Sequence, residues 1–302
     1  MRKFLAKPFR WAVIFTIILT GAFSYVLMDS FVIEKSVAAV SASASTSSKQ
    51  SSSSSDAEVT DTSYEDENIK ITIDTVQKYN STIYIADIQL SDASYLKTAL
   101  ADNTYGRNIK ETTSDIASSE NAIFAINGDY YGFRDYGYVL RNGTVYRSTA
   151  KTSGNSEDLV IDSNGDFSII SEGAESLDSI TSSGSIAQVL SFGPALINNG
   201  EITVDSSSEV SQSKTSNPRT AIGQVSKLHY IVVVSDGRTS ESEGLSLLQL
   251  AQVLKEKGCT VAYNLDGGGS STMYFNGKVI NNPTDGRTSG ERKVSDIVYF
   301  GY

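Results

Sequence analysis

Four times in this chain an Asn-Gly pair sits between two short apolar runs, in "YVLRNGTVYR", "LVIDSNGDFSII", "ALINNGEITV" and "MYFNGKVI". The tightest hairpin turn needs positive φ at both central residues, which Asn and Gly tolerate best, so each stretch predicts two antiparallel strands. Two further runs, "IKITIDTV" and "TIYIADIQL", alternate apolar and polar residues across a turn at Tyr79 to Ser81 and predict another hairpin. Only two stretches read as helices. "TTSDIASSE" covers Thr113 to Glu120; in "GLSLLQLAQVLKEKG", Leu247, Leu250, Ala251 and Leu254 form an i, i+3, i+4, i+7 stripe that stops at Gly258. The second helix joins the apolar runs "HYIVVVSDG" and "TVAYNLDGG", a spacing that predicts one parallel β-α-β crossover. The expected fold class is α+β, a mixed, hairpin-rich sheet with few helices, spanning 68–302.

Ahead of that domain, residues 1–10 form a basic flank with Arg2, Lys3, Lys7 and Arg10. Residues 11–28 form an uncharged run, which at 18 residues reaches the length of a membrane-spanning helix. Positive charge on the N-terminal side places the following domain outside the membrane. The small-x-small triplet Ala42-Ser43-Ala44 lies far beyond Met28, which favours an uncleaved signal anchor over a cleaved signal peptide; either one exports the domain. Residues 29–67, with "SASASTSSKQSSSSSDAE", read as a Ser-rich flexible linker.

The first 35 residues hold five basic and two acidic side chains, leaving 20 basic and 33 acidic ones, a formal charge of −13. That excess excludes nucleic acid as the natural partner. The one cysteine, Cys259, excludes an intramolecular disulfide and a Cys-based zinc site, and reads as a buried apolar residue.

Both crossover strands end in a carboxylate and a glycine: "VVVSDGR" in Asp236, Gly237 and Arg238, "YNLDGGGSS" in Asp266, Gly267, Gly268, Gly269 and Ser270. Parallel strands would bring Asp236 and Asp266 to one sheet edge, where open α/β sheets bind ligands. A third such end, "AIFAINGDYYGFR", supplies Asn127, Gly128 and Asp129 beside Tyr130 and Tyr131. The triple glycine lacks the Lys of a P-loop, the spacing of a dinucleotide fingerprint and the Gly-x-Ser-x-Gly of a nucleophile elbow. His229, the one histidine, alternates with apolar neighbours and reads as a strand residue, which disfavours a Ser-His-Asp hydrolase. "DSNGD", Asp162 to Asp166, lacks the closing Glu of a calcium loop and reads as a turn. No cofactor or metal is expected. What remains is Asp, Asn, Gly and Tyr with isolated arginines, Arg134, Arg219, Arg238, Arg287 and Arg292. Carboxylates and aromatic rings suit a sugar, and guanidinium forks suit a phosphate.

The ordered motifs "AINGDYYG", "SFGPALINNGE", "NPRTAIG", "VVVSDGR", "NLDGGGSSTMYFNGKVINNP" and "ERKVSDIVYF", from Asn121 to Tyr302, resemble the phosphodiester glycosidase family. Its best-known member removes N-acetylglucosamine from a phosphodiester, and its bacterial members are often labelled exopolysaccharide-associated. The resemblance points to Asn127 and Asp129, to Arg219 and Thr220, to Asp236, Gly237 and Arg238, and to Asp266 through Ser270. Asp129 stands where many relatives have glycine. The resemblance implies an extracytoplasmic hydrolase acting on a sugar 1-phosphodiester, polymeric in a bacterial wall or capsule.

In that reading Arg219 and Arg238 hold the phosphate. Asp266, or failing it Asp236, attacks the anomeric carbon or activates water, and Gly267 to Gly269 let backbone N–H groups reach the substrate. Two other classes stay open: a non-catalytic polysaccharide-binding module, and a metal-dependent phosphodiesterase using Asp129, Asp236 and Asp266 as ligands.

Overall fold

The computed structural model describes residues 7–38, 41–42, 57–151, 156–208, 216–286 and 288–302. Period-two patterning decides how its largest sheet is built. Strands Ile69–Lys78 and Ser81–Leu90 pair antiparallel over their whole length, turning at Tyr79 and Asn80, both with positive φ. Along the second strand Tyr84, Ala86 and Ile88 join one buried apolar cluster, while Ile83 and Ile85 join another. Alternating side chains leave a strand on opposite faces, so this sheet needs cover on both.

The helix Leu247–Glu256 covers one face with Leu247, Leu250, Ala251 and Leu254. It starts at a capping box of Ser246 and Gln249 and is followed by Gly258 at φ 87°. On the other face lie the second and third sheets, which contribute Phe124, Ile126, Leu159, Ile161, Met273 and Val298 to the shared core. At about 25 cal/mol per Å² of apolar surface, these buried layers are the main favourable term in folding. The nine-stranded sheet runs Glu201–Ile202, Ala195–Asn198, Val261–Asn264, Arg219–Ser226, His229–Ser235, Ser81–Leu90, Ile69–Lys78, Ser63–Glu65, Glu58–Val59. A five-stranded sheet contains Phe124–Asn127 between Met273–Phe275 and Asp296–Phe300, and a six-stranded sheet contains Val139–Arg141 beside Ile186–Leu190.

The hairpin-rich architecture with few helices is as expected, and each Asn-Gly stretch forms its hairpin. The crossover differs in one respect. Its strands, His229–Ser235 and Val261–Asn264, run in the same direction without touching, because Arg219–Ser226 lies between them and pairs antiparallel with each. A strand returning through a hairpin has already filled the adjacent slot, so the crossover steps over it. Among the described residues the ladders of this sheet are all antiparallel, where a mixed sheet was expected. The shared direction still brings both strand ends to one edge.

The N-terminal helix is Lys7–Phe31, and its apolar stretch Phe9–Phe31 is 23 residues long with mean hydropathy 2.0, long and apolar enough to cross a membrane. Beyond it Lys35–Ser36 pairs with Gly106–Arg107. The nine-stranded sheet begins at Glu58, ahead of the start expected at Asn68. A short helix, Leu177–Ser183, has too few apolar positions to show a helical stripe in sequence. Cys259 is buried under Gly223, and burial pushes its thiol up to about 12. His229 is a strand residue whose Nε2 lies 2.9 Å from Asp87 Oδ1, and Asp162 Oδ1 accepts from Asn164 N and Asp166 N within a turn.

Candidate active site

Two of the three glycine-bearing strand ends come from different sheets, and hydrogen bonds sew them together. Asp266 N donates to Gly128 O at 3.2 Å, and Asn127 Nδ2 to Asp266 O at 2.7 Å. Thr220 Oγ1 donates to Asn127 Oδ1 at 2.8 Å, and Leu265 N to Thr220 O at 2.9 Å. Asn127 and Thr220 are fully buried, so they brace the loop from beneath.

The Asp266 side chain is half-buried. Its Oδ1 accepts from Gly267 N at 2.8 Å and its Oδ2 from Ser270 Oγ at 2.6 Å. Burial penalises the charged carboxylate and raises its pKa above the usual range, although Ser270, Arg292, Gly267 and Arg134 all favour the ionised form. The half-buried Tyr130 stands in the same field: burial, then the charge of Asp266, raise its hydroxyl as well.

The glycines admit arginines. A Cβ on Gly268, which has φ 62°, would sit 2.6 Å from Arg238 Nη2. One on Gly269 would sit 2.8 Å from Arg292 Nη2 and 2.5 Å from Asp285 Oδ1. Only bare backbone lets both guanidinium groups lie against the loop that follows Asp266. The amides of Gly267 and Gly268 do not point outward as expected. The first donates to Asp266 Oδ1 and the second to Pro218 O, both at 2.8 Å. The loop therefore presents arginines more than amides.

Arg238, exposed, is steered by Asn217 Oδ1, 3.2 Å from its Nη2. Arg292 donates from Nε and Nη2 to Asp285 Oδ1 at 3.0 and 2.7 Å. Arg219 is 3% exposed and donates from Nε to Leu245 O at 3.0 Å, so its side chain lies inside the protein below Gly267. Gly237 packs on Pro218, where a Cβ would come within 2.8 Å of the ring, and its carbonyl accepts from Thr284 Oγ1 at 3.0 Å. Arg287 lies outside the described residues.

The two other carboxylates do different work. Asp236 accepts from Asn282 N at 2.8 Å, Asn282 Nδ2 at 2.9 Å and Tyr84 Oη at 3.3 Å, fastening the segment that leads to Thr284 and Asp285. Asp129 is fully buried: Oδ2 accepts from Ser191 N at 2.7 Å and pairs with Arg141 Nη2 at 2.9 Å. Arg141 Nη2 also pairs with Asp296 Oδ2 at 2.8 Å. One guanidinium cannot neutralise two carboxylates buried with it, so Asp296 is raised above the usual range, by burial first and Asp129 beside it. A Cβ on Gly128 would collide with the Asp296 carboxylate.

Neither Arg141 nor Asp296 was singled out from the sequence. Each is a charged residue directly abutting a short apolar run, at the end of "VLR" and the start of "DIVYF", and is buried with it; that adjacency is the one signal the sequence held. The Asn281–Asn282 fastening of Asp236 left no such trace. Among the described residues no group of three His, Cys, Asp or Glu side chains could hold a metal ion. The ligand set of a metal-dependent phosphodiesterase is not assembled, because Asp129 and Asp236 are committed to separate partners.

A strand-end carboxylate is thus followed by a loop of bare backbone with two guanidinium groups lying against it, on a hairpin-rich sheet. The phosphodiester glycosidase family profile matches residues 120–301, and the chain belongs to that family. It is 28% identical over 203 residues to the SPbeta prophage-derived uncharacterized protein YomE of Bacillus subtilis, covering 66% of this chain and 31% of that protein. It is 26% identical over 188 residues to human N-acetylglucosamine-1-phosphodiester alpha-N-acetylglucosaminidase, covering 58% of this chain and 36% of the relative. The chain thus spans about a third of the length of these curated relatives. The zebrafish catalytic domain of that enzyme, auto-inhibited by its pro-peptide, shares the fold with a TM-score of 0.60 at 20% identity, over 78% of this chain and 83% of the other.

Proposed function

We propose that this protein hydrolyses the glycosidic bond of a sugar 1-phosphodiester on the outer side of a membrane, in a wall or capsular polysaccharide. The observation that carries the reading is Asp266, a half-buried carboxyl raised by burial against the pull of Arg292 and Arg134, with Arg238 across Gly268. A binding module has no use for a carboxyl held above the usual aspartate range; an acid–base catalyst does. The leaving phosphate monoester needs little protonation, so the demand falls on Asp266 as nucleophile or base and on Arg238 and Arg292 as the phosphate clamp. Asn127 and Thr220 hold the loop carrying Asp266, Asp236 holds the segment carrying Asp285, and Asp129 anchors the neighbouring turn. The apolar helix anchors the domain in the membrane.

The test is incubation of the full chain in detergent with purified wall polymer, and separately with a nucleotide sugar, identifying products by mass. Free sugar is expected from the wild type, and Asp266→Asn should lower turnover at least about a hundredfold without unfolding. Sugar phosphate as the product, or near-normal turnover in a folded Asp266→Asn, would sink the reading.

A further inference from the structure

Against the turn Tyr131–Phe133, a cavity of about 220 Å³ opens between Val37, the strand Gly106–Arg107 and the strand Thr144–Arg147, and no residue of the Asp266 loop lines it. It is lined by three arginines, Arg107, Arg134 and Arg147, and three tyrosines, Tyr105, Tyr131 and Tyr146, with Asp135 as its one acidic residue. Tyr105 is stacked between the other two rings, with centroids 5.1 Å from Tyr131 and 4.8 Å from Tyr146.

Each arginine is pinned by part of its guanidinium and leaves another part over. Arg147 donates from Nε to Gly137 O at 2.7 Å and from Nη1 to Arg134 O at 2.6 Å. Arg134 donates from Nη2 to Asp129 O at 2.8 Å and also to Ser191 O. Arg107 Nη1 holds both oxygens of Asp135, at 3.1 and 3.0 Å. Among the described residues Arg147 Nη2, Arg134 Nε and Arg107 Nε are buried and make no hydrogen bond of good geometry. Carboxylates behind the cavity, Asp129 for Arg147 and Asp158 and Glu172 for Arg134, offset part of this charge, but the buried N–H groups left without a bond still cost free energy unless an acceptor joins them. Held in place beforehand, they lose little entropy in binding one. The space admits a phosphate group or one sugar ring, and is smaller than the roughly 300–1,000 Å³ of sites for drug-sized ligands. The tyrosines supply flat apolar surface for such a ring.

We propose that this cavity is a second subsite, binding a phosphorylated sugar unit of the polymeric substrate neighbouring the unit that is cleaved. The proposal rests on the glycosidase reading for the polymer's identity. The two places flank one stretch of chain: Gly128 O accepts from Asp266 N, and six residues on, past the Tyr131–Phe133 turn, Arg134 lines the cavity.

Arg107→Gln and Tyr146→Ser test it, both at half-buried positions outside the Asp266 site. With the full chain in detergent, binding of a teichoic-acid fragment of a few sugar-phosphate repeats is measured by calorimetry, with a neutral oligosaccharide of equal length as control. Each variant should weaken fragment binding about tenfold, the scale of one lost charge-assisted hydrogen bond or stacking contact, while hydrolysis of a nucleotide sugar stays within about twofold. Unchanged fragment binding in both variants overturns the subsite, and so does equal weakening toward the neutral oligosaccharide in Arg107→Gln, the variant that removes only a charged partner. Failure of all proteins to release sugar, with fragment binding still dependent on Arg107, would sink the glycosidase reading and leave the subsite standing.

Discussion

At the residue scale, the Asp266 carboxyl stands in a conflict: burial disfavours its charge, while a hydroxyl, an amide and two arginines favour it. If Asp266 works ionised, kcat/KM rises with pH as it loses its proton, and the midpoint of that acid limb lies above the ordinary aspartate value of about 3.9. Ser270 Oγ bonds the ionised form, so Ser270→Ala should move the limb to higher pH; a limb that stays or moves down would remove the assignment. Gly268 poses a different problem. A turn residue at φ 62° would accept Asn, but any Cβ there meets Arg238. Gly268→Asn and Gly268→Ala should therefore both raise KM for a phosphodiester, with Ala costing a further ~1 kcal/mol of stability from the left-handed backbone. In an Arg238→Ala background Gly268→Asn should cost no further activity, because the group it displaces is already gone. Additive losses would mean that the glycine faces substrate directly.

At the scale of elements, the buried trio Asp129, Arg141 and Asp296 joins the end of Phe124–Asn127 to strands of two different sheets. Removing the cation strands two carboxylates, whereas neutralising one carboxylate leaves a matched pair. Arg141→Met should thus cost about 3–5 kcal/mol in a urea titration, and Asp296→Asn much less. The reverse order would show that the three do not share charge in this way. The neighbouring hairpins were legible without any of this, because Asn-Gly turns and period-two alternation act over a few residues. The crossover was legible in direction but not in pairing: whether another strand enters between His229–Ser235 and Val261–Asn264 depends on hairpin closure elsewhere, which no local pattern encodes.

Across the whole molecule several carboxyl groups are held above their usual range, most strongly the fully buried Asp158, which burial and then the charge of Glu172 push up to about 8. Unfolded, that group loses its proton near pH 3.9. Between there and about 8 the folded state keeps a proton that the unfolded state has released, so stability falls as pH rises through the window. Asp266, Asp296 and Glu172, also raised by burial, act in the same direction. The melting temperature should therefore drop from pH 5 to pH 8, and Asp158→Asn should flatten the drop; an unchanged slope would free Asp158 of that role. By itself the sequence determined the hairpins, the stripe of the helix Leu247–Glu256, the apolar N-terminal segment and the strand ends where Asp and Gly gather, since each follows from side-chain chemistry over a few adjacent positions. Only the tertiary structure decided that Asp266 is half-buried while Asp129 and Arg219 are fully buried, and that the glycines make room for Arg238 and Arg292. Carboxylates and guanidinium groups of the same type differ in role by what lies within hydrogen-bond reach, and those neighbours come from strands distant along the chain and brought together by burial of the core.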